Sequence, residues 1–418
     1  MNKISKKLGV LSILVLATQQ INLPGLGLSI FQVVVLLFLL VSFLPSILCV
    51  RRGKNINIAC IWFASSVIAF FTSINPDWAR SYFLLGTLFS MLLVVVPSVF
   101  CREDIPLLEK WLIRSQYIVI PFSIYCWIFF YSVGGVPDKV PLPGGLSVTL
   151  GEDAIARGTA GGEIRLMLPY ATPPVLSIVM SMCVTLLLFS EGVFKKYTKW
   201  ILITIFSTIA LMTGSRSGLV GLFLLIIFLF FTGEIRRYLG SNHKIYLVLG
   251  IFCFLFLLLI FLENEYLEKM IFDRFKNTAS DGLYEDRHFL VPLDGLIIWL
   301  DSLSNFFIGI GFGSSALMKG EHTYLPPYFL NSYVTLLAER GILGFVLVFY
   351  IIKLVVKLFK ARRFLSKNEN ALVYTLFVGL ISGIFYENLN CYFIIYTIAI
   401  SFILYNIIDN KLNHESTY

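Results

Sequence analysis

The stretch Leu28-Ser-Ile-Phe-Gln-Val-Val-Val-Leu-Leu-Phe-Leu-Leu-Val-Ser-Phe-Leu-Pro-Ser-Ile-Leu-Cys-Val50 holds no Asp, Glu, Lys or Arg, and Arg51-Arg52-Gly-Lys54 follows at once. As a helix it is about 34 Å long, enough to cross a hydrocarbon core of about 30 Å. A long apolar run closed by a basic cluster is the signature of a transmembrane helix ending on the cytoplasmic side. The rest of the chain repeats this pattern.

Composition agrees. The 418 residues are 57% hydrophobic, 15% aromatic and 14% charged, with a mean hydropathy of +0.83. Soluble domains carry about a quarter charged residues, so the chain reads as a polytopic membrane protein. Its net charge of +8 does not point to nucleic acid, because the basic residues come as short clusters between apolar runs. Cys49, Cys60, Cys101, Cys126, Cys183, Cys253 and Cys391 are scattered without CxxC spacing. Neither a disulfide framework nor a zinc site is expected.

The first run follows Lys3, Lys6 and Lys7 and extends to Ala17; a second begins without a small-x-small cleavage site between them, which favours a retained helix over a signal peptide. After Leu28–Val50, runs recur at about Ile56–Ile74, Tyr82–Phe100, Gln116–Val133, Met167–Phe189, Trp200–Thr213 and Ser217–Thr232. Further on come Ile245–Leu262, Gly341–Leu358, Ala371–Tyr386 and Cys391–Ile408. Together these make about 12 spans in one integral membrane domain covering residues 1–418.

Basic clusters fall on alternate connections: Lys3/Lys6/Lys7, Arg51/Arg52/Lys54, Arg102/Lys110/Arg114, Lys195/Lys196/Lys199, Arg236/Arg237/Lys244 and Lys353 to Lys367. The positive-inside rule then puts both termini in the cytoplasm and two long loops, 134–166 and 263–331, outside. The second loop holds a run of ionisable residues from Glu263 to His288, and chemistry in a membrane protein sits where such groups are tolerated.

Basic residues of the outer face are mostly arginines: Arg80, Arg157, Arg165, Arg216, Arg274, Arg287 and Arg340. The guanidinium fork matches phosphate oxygens and keeps its charge when desolvated. Arg216, in Thr213-Gly-Ser-Arg-Ser-Gly218 between two short runs, reads either as an interfacial arginine snorkelling to headgroups or as an anion-binding arginine at a helix terminus. The Gly- and Pro-rich loop before Arg165 reads as irregular, with Arg157 on a flexible stretch. Pro292 to Phe307 reads as an amphipathic helix with Asp294, Asp301 and Asn305 on one stripe, either lying on the membrane or covering a site. Gly309-Ile-Gly-Phe-Gly313 reads as a tight turn, since its spacing is wrong for a dinucleotide fingerprint and no strand precedes it.

One ordered set of motifs carries a resemblance. Thr213-Gly-Ser-Arg-Ser-Gly218, Arg287 ahead of an amphipathic helix, Gly309-x-Gly-Phe-Gly313 and Asn331-Ser-Tyr-x-x-Leu-Leu-Ala-Glu-Arg-Gly-x-x-Gly344 resemble the O-antigen polymerase and ligase superfamily. That resemblance covers about Arg165 to Leu358, and the hydropathy profile matches along the whole chain. It implies an all-α, GT-C-like membrane fold whose large outer loop bears amphipathic helices. It also implies transfer of a glycan from a polyprenyl diphosphate carrier to an acceptor outside the cytoplasmic membrane, without metal, nucleotide sugar or other cofactor. By position Arg216 and Arg287 match the family's diphosphate-holding arginines, and Arg165 is a third candidate. Arg216, Arg287, Glu339 and His322 are then the candidate catalytic residues. Arg165, Arg157, Asn331, Tyr333 and Asp294 are the candidate substrate-binding ones.

Ligases of this superfamily have a His just before the Asn of the closing motif; this chain has Leu330. The departure favours a Wzy-type polymerase of O-antigen or capsular repeat units over a ligase, and leaves the base open among Glu339, His322, His288 and Asp294. Implied partners are undecaprenyl-diphosphate-linked oligosaccharide as donor and acceptor, membrane lipid and a chain-length regulator. Glu387, Asn388 and Asn390 stand where they would line the cleft. The rival reading is a lipid-linked oligosaccharide flippase, which calls for internal repeats and ionisable groups at the midplane; the runs read as nearly free of such groups.

Overall fold

The structure, a computed structural model, describes residues 3–23, 28–49, 54–137, 139–142, 146–149, 159–160, 163–170, 172–232, 287–316, 329–389 and 391–415. Its helices are α1 (Lys3–Leu14), α2 (Ile30–Cys49), α3 (Lys54–Thr72), α4 (Pro76–Val99), α5 (Ile105–Ser115) and α6 (Val119–Val133). Then follow α7 (Pro173–Phe189), α8 (Lys196–Met212), α9 (Arg216–Phe231), α10 (Arg287–Leu300) and α11 (Leu303–Phe307). Last come α12 (Ser332–Ala361), α13 (Lys367–Ser382) and α14 (Tyr392–Glu415). Among the described residues 6 helical stretches are long and apolar enough to cross a membrane: Ile30–Ile47, Asn55–Thr72, Pro76–Val99, Arg102–Val133, Ser332–Phe364 and Tyr392–Asp409. The run Ile245–Leu262 lies outside the described residues.

Local sequence sets several helix ends. The Asn75 side chain accepts the Trp78 N–H and Pro76 opens α4, a position where its missing N–H costs nothing. Ser366 and Glu369 form a capping box at the start of α13. The core lies around α13 and α14, where Tyr374, Phe393 and Tyr396 are fully buried, and the Tyr396 hydroxyl donates to Ser12 Oγ of α1 at 2.6 Å. Leu40, Phe71 and Phe231, by contrast, are 76%, 79% and 82% exposed. Such apolar exposure is a liability in water and is satisfied by lipid.

Ion pairs gather the basic connections at one end of the bundle. Lys6 pairs with Asp104 at 2.7 Å, Arg102 with Glu369, Lys367 with Glu191 and Lys357 with Asp409. At the opposite end Ser73 Oγ donates to the Phe312 carbonyl at 2.6 Å, Arg165 Nε to the Thr213 carbonyl at 2.7 Å and the Ser332 N–H to the Gly383 carbonyl at 2.8 Å.

Three expectations are corrected. First, the loop after α6 is not wholly irregular: β2 (Lys139–Pro141) and β3 (Ser147–Thr149) join β1 (Ile21–Asn22) in an antiparallel sheet of order β1-β3-β2. Val148 pairs with Ile21 on one side and Val140 on the other, and all three pack with Phe130, Met167 and Leu168. A hairpin of β4 (Thr159–Ala160) and β5 (Glu163–Ile164) follows. Strands of two or three residues carry no period that a sequence can display. Second, the run from Gln116 becomes helical only at Val119, after a turn at which the buried Gln116 side chain accepts the Tyr170 hydroxyl at 2.6 Å. Third, the amphipathic helix already includes Arg287 and breaks at Asp301–Ser302, where Ser302 Oγ accepts the Asn305 N–H and caps α11.

Candidate functional site

The closing motif builds the centre of the site. Asn331 caps α12, its Oδ1 accepting the N–H groups of Tyr333 and Val334 at 2.9 and 3.1 Å, which satisfies two of the orphan donors of a helix start. Its Nδ2 donates to the Ile384 carbonyl at 2.8 Å, and the Tyr333 hydroxyl donates to the Leu380 carbonyl at 2.7 Å. Ser332 Oγ lies 3.0 Å from Asn388 Oδ1 and accepts the Asn388 N–H at 2.9 Å. The Asn331 and Tyr333 side chains are thus engaged by the protein, docking the first turn of α12 on the turn after α13. Leu330, just before them, has a φ of +54°, a left-handed backbone that is uncommon for a leucine.

Alpha-helical geometry fails within α12 at Gly341, with φ 57° and ψ −138°. The break frees carbonyls at the end of Ser332–Arg340, and the glycine-rich segment takes them: Ile310 N–H donates to Ala338 O at 2.9 Å and Gly311 N–H to Glu339 O at 3.2 Å. The approach is close enough that a Cβ on Gly309 would stand 2.5 Å from the Glu339 backbone, with φ +82° already excluding most residues. Gly309–Gly313 is therefore a cross-braced segment rather than a simple turn.

Two charged side chains end this short helix and both are buried, Glu339 at 3% and Arg340 at 4% exposure. Glu339 Oε1 accepts the Gly313 N–H at 2.8 Å. The Arg340 guanidinium lies 4.8 Å from the Trp62 ring and 4.9 Å from that of Phe312, a favourable placement for a desolvated cation. Its Nη1 donates to Ser65 and Ser66 Oγ at 2.9 and 3.0 Å, and its Nε has no partner among the described residues. Ser65 stands about two turns, or roughly 10 Å, inside the end of α3.

Glu387, in the turn after α13, completes the cluster. Burial pushes its carboxyl up to about 7, against the opposing influence of the Thr335 hydroxyl, the Arg340 charge and the Leu389 N–H. Its Oε2 is buried and has no hydrogen-bond partner among the described residues. Tyr82 of α4 stands within electrostatic reach of both Glu339 and Glu387. The cluster therefore unites α3, α4, α12, the glycine segment and the α13–α14 turn. These buried charges lie just outside the apolar runs Gly341–Leu358, Ala371–Tyr386 and Cys391–Ile408. Glu109 of α5 is likewise fully buried, with neither carboxyl oxygen partnered among the described residues.

The Arg216 motif lies at the same end. Arg216 is the first residue of α9 after Gly214 at φ +57°. Ser215 and Ser217 hydroxyls meet at 3.0 Å, and Ser177 Oγ of α7 donates to the Ser215 carbonyl at 3.3 Å. Buried Arg165 reaches this turn through the Thr213 carbonyl. One turn further along, Gly221 packs on Ser382 of α13, next to the residue that holds Ser332. Arg287 lies in α10, which rests on α12 where Gly295 meets Val334 and Phe329; Asp294 beside it is half-buried. The side chains of Arg216, Arg287 and His288 lie outside the described residues, as do Arg157, His322 and Asn390.

Of this cluster, Glu339 was a candidate from its motif alone, whereas Trp62, Ser65, Ser66 and Tyr82 were missed and Glu387 was given only a lining role. A Ser65–Ser66 pair inside an apolar run was the available signal. No family model matches the chain, and no curated protein matches it.

Proposed function

We propose that this protein is a glycosyltransferase that polymerises lipid-linked oligosaccharide repeat units at the outer face of a bacterial cytoplasmic membrane. The growing glycan passes from undecaprenyl diphosphate to a sugar hydroxyl of an incoming undecaprenyl-diphosphate-linked repeat unit. The observation carrying this reading is a convergence. The Arg216 turn with Arg165, α10 and the closing motif all stand at the end opposite the lysine-rich ion pairs, around a buried Glu339–Arg340–Glu387 cluster. With the lysine-rich end in the cytoplasm, that convergence faces outside, where such repeat units are joined.

On this reading the segments running between the two ends, with Ile245–Leu262 added, make about 12 spans in a GT-C-like arrangement. Arg216, Arg287 and Arg165 neutralise the charge that develops on the diphosphate leaving group. The outer loop holds the acceptor hydroxyl in line. No metal enters the chemistry, so transfer by purified protein survives EDTA; activity that vanishes with EDTA and returns with a divalent ion would remove this part of the reading. Surface polysaccharide from a deletion strain tests the whole. Single-repeat material supports a polymerase, free unligated polymer a ligase-type transferase, and loss of both a flippase.

A further inference from the structure

Transfer of a glycan to a hydroxyl releases a proton, and the acceptor of that proton needs a free oxygen at the site. Glu339 already accepts the Gly313 N–H through Oε1 in its clasp on the glycine segment. Glu387 differs. Thr335 and Leu389 adjoin its carboxyl, while Oε2 is buried with no partner among the described residues. Thr335 also accepts the Phe329 N–H at 3.2 Å and donates to the Asn331 carbonyl at 2.9 Å. The carboxyl therefore lies beside the first turn of α12, at the end of the bundle where the arginine motifs gather. A buried carboxyl oxygen left without a partner is one that an incoming hydroxyl would complete.

Resting on the polymerase reading, we infer that Glu387 is the general base of the transfer, its Oε2 taking the proton of the acceptor hydroxyl. The acceptor oxygen forms a bond to the anomeric carbon of the donor glycan as the bond from that carbon to the diphosphate oxygen breaks. The electron pair of the broken bond leaves with undecaprenyl diphosphate, and the hydroxyl proton passes to Glu387. Among the described residues, the groups facing this carboxyl are Arg340, Glu339 and Tyr333 from α12, Tyr82 from α4 and Tyr386 from its own turn. Arg340 is the one cation of this described set. It favours the ionised form, while burial opposes it, and the balance leaves a base that is half ionised near neutrality.

The test uses the full chain in lipid nanodiscs with undecaprenyl-diphosphate-linked repeat units extracted from a strain lacking the polymerase. Wild-type turnover rises about tenfold per pH unit below neutrality and levels off above it. Glu387→Gln lowers turnover by about a hundredfold or more and flattens that rise, with binding of the lipid-linked units retained. Glu387→Asp, with its carboxyl set back by one methylene, keeps the rise at a reduced rate. A Glu387→Gln variant within about threefold of wild type, or one that keeps the acid limb, overturns the inference and leaves the polymerase reading standing. If Glu387→Gln does not assemble, a wild-type rate that is flat from about pH 5 to 8 overturns it equally. A wild-type protein that joins no repeat units overturns both.

Discussion

The carboxylate of Glu339 accepts the backbone N–H of Gly313 across a 2.8 Å hydrogen bond, clasping the glycine-rich segment to the break in α12. The same segment is held by the carbonyls of Ala338 and Glu339. Side chain and main chain of one residue therefore secure the two motifs to each other, and Arg340 follows directly with its guanidinium between Trp62 and Phe312.

This clasp predicts a graded response. Glu339→Gln keeps an acceptor for the Gly313 N–H and loses about 1 kcal/mol of stability. Glu339→Ala leaves that N–H buried without a partner and removes a countercharge from Arg340, costing about 3 kcal/mol. Thermal melting in detergent reads the difference, and an alanine variant that melts like wild type would show the clasp to be idle.

Glu387 predicts a stability that depends on pH. Its folded carboxyl stands at about 7 against an ordinary value of 4.5, raised chiefly by burial. The fold thus prefers the protonated form. Its contribution is fully present below the ordinary value and is lost as pH rises through about 7. From pH 5 to 8 this group removes on the order of 3 kcal/mol from the wild type. Glu387→Gln, which mimics the neutral acid, escapes that loss and melts above wild type at pH 8. Parallel melting-against-pH curves for the two proteins would contradict the assignment.

What was legible in the sequence is what local chemistry writes. Leu28–Val50 declares itself by length and by the arginines after it, and the Lys6, Arg102 and Lys367 clusters mark one end of the bundle before any contact is known. The cluster at the other end was mostly illegible because its partners are remote: Arg340 meets Ser65 across 275 positions and Ser73 meets Phe312 across 239. Asn331 and Tyr333 read as ligand-binding because they fall in the closing motif that carries the resemblance. Their partners turn out to be carbonyls of the α13 end, which only the fold supplies.

Orientation supplies a separate prediction. Cysteine labelling from outside the cell is expected to reach positions 145 and 281, and labelling at 196, 237 and 362 to require permeabilisation. Lys196 and Arg362 stand at the starts of α8 and of the turn after α12, at the end where Lys367 pairs with Glu191. Position 281 labelled only after permeabilisation would turn the candidate site toward the cytoplasm and end the polymerase reading.

The arginines give the sharpest test of the chemistry. Arg216 opens α9, at a helix N-terminus whose backbone N–H groups favour an anion, and Arg287 lies in α10. If both grip the diphosphate as forks, lysine is a poor substitute, because it keeps the charge and offers one point in place of two parallel donors. If they only snorkel to headgroups, charge and reach survive in lysine and little changes. Arg216→Lys and Arg287→Lys are therefore expected to lose about 3 kcal/mol of transition-state stabilisation, about a hundredfold in turnover, and to shorten a polymer ladder to mainly single repeats. Arg80→Lys, an exposed control on α4, stays active. Full-length ladders from both lysine variants at normal protein levels would return these arginines to a membrane-anchoring role.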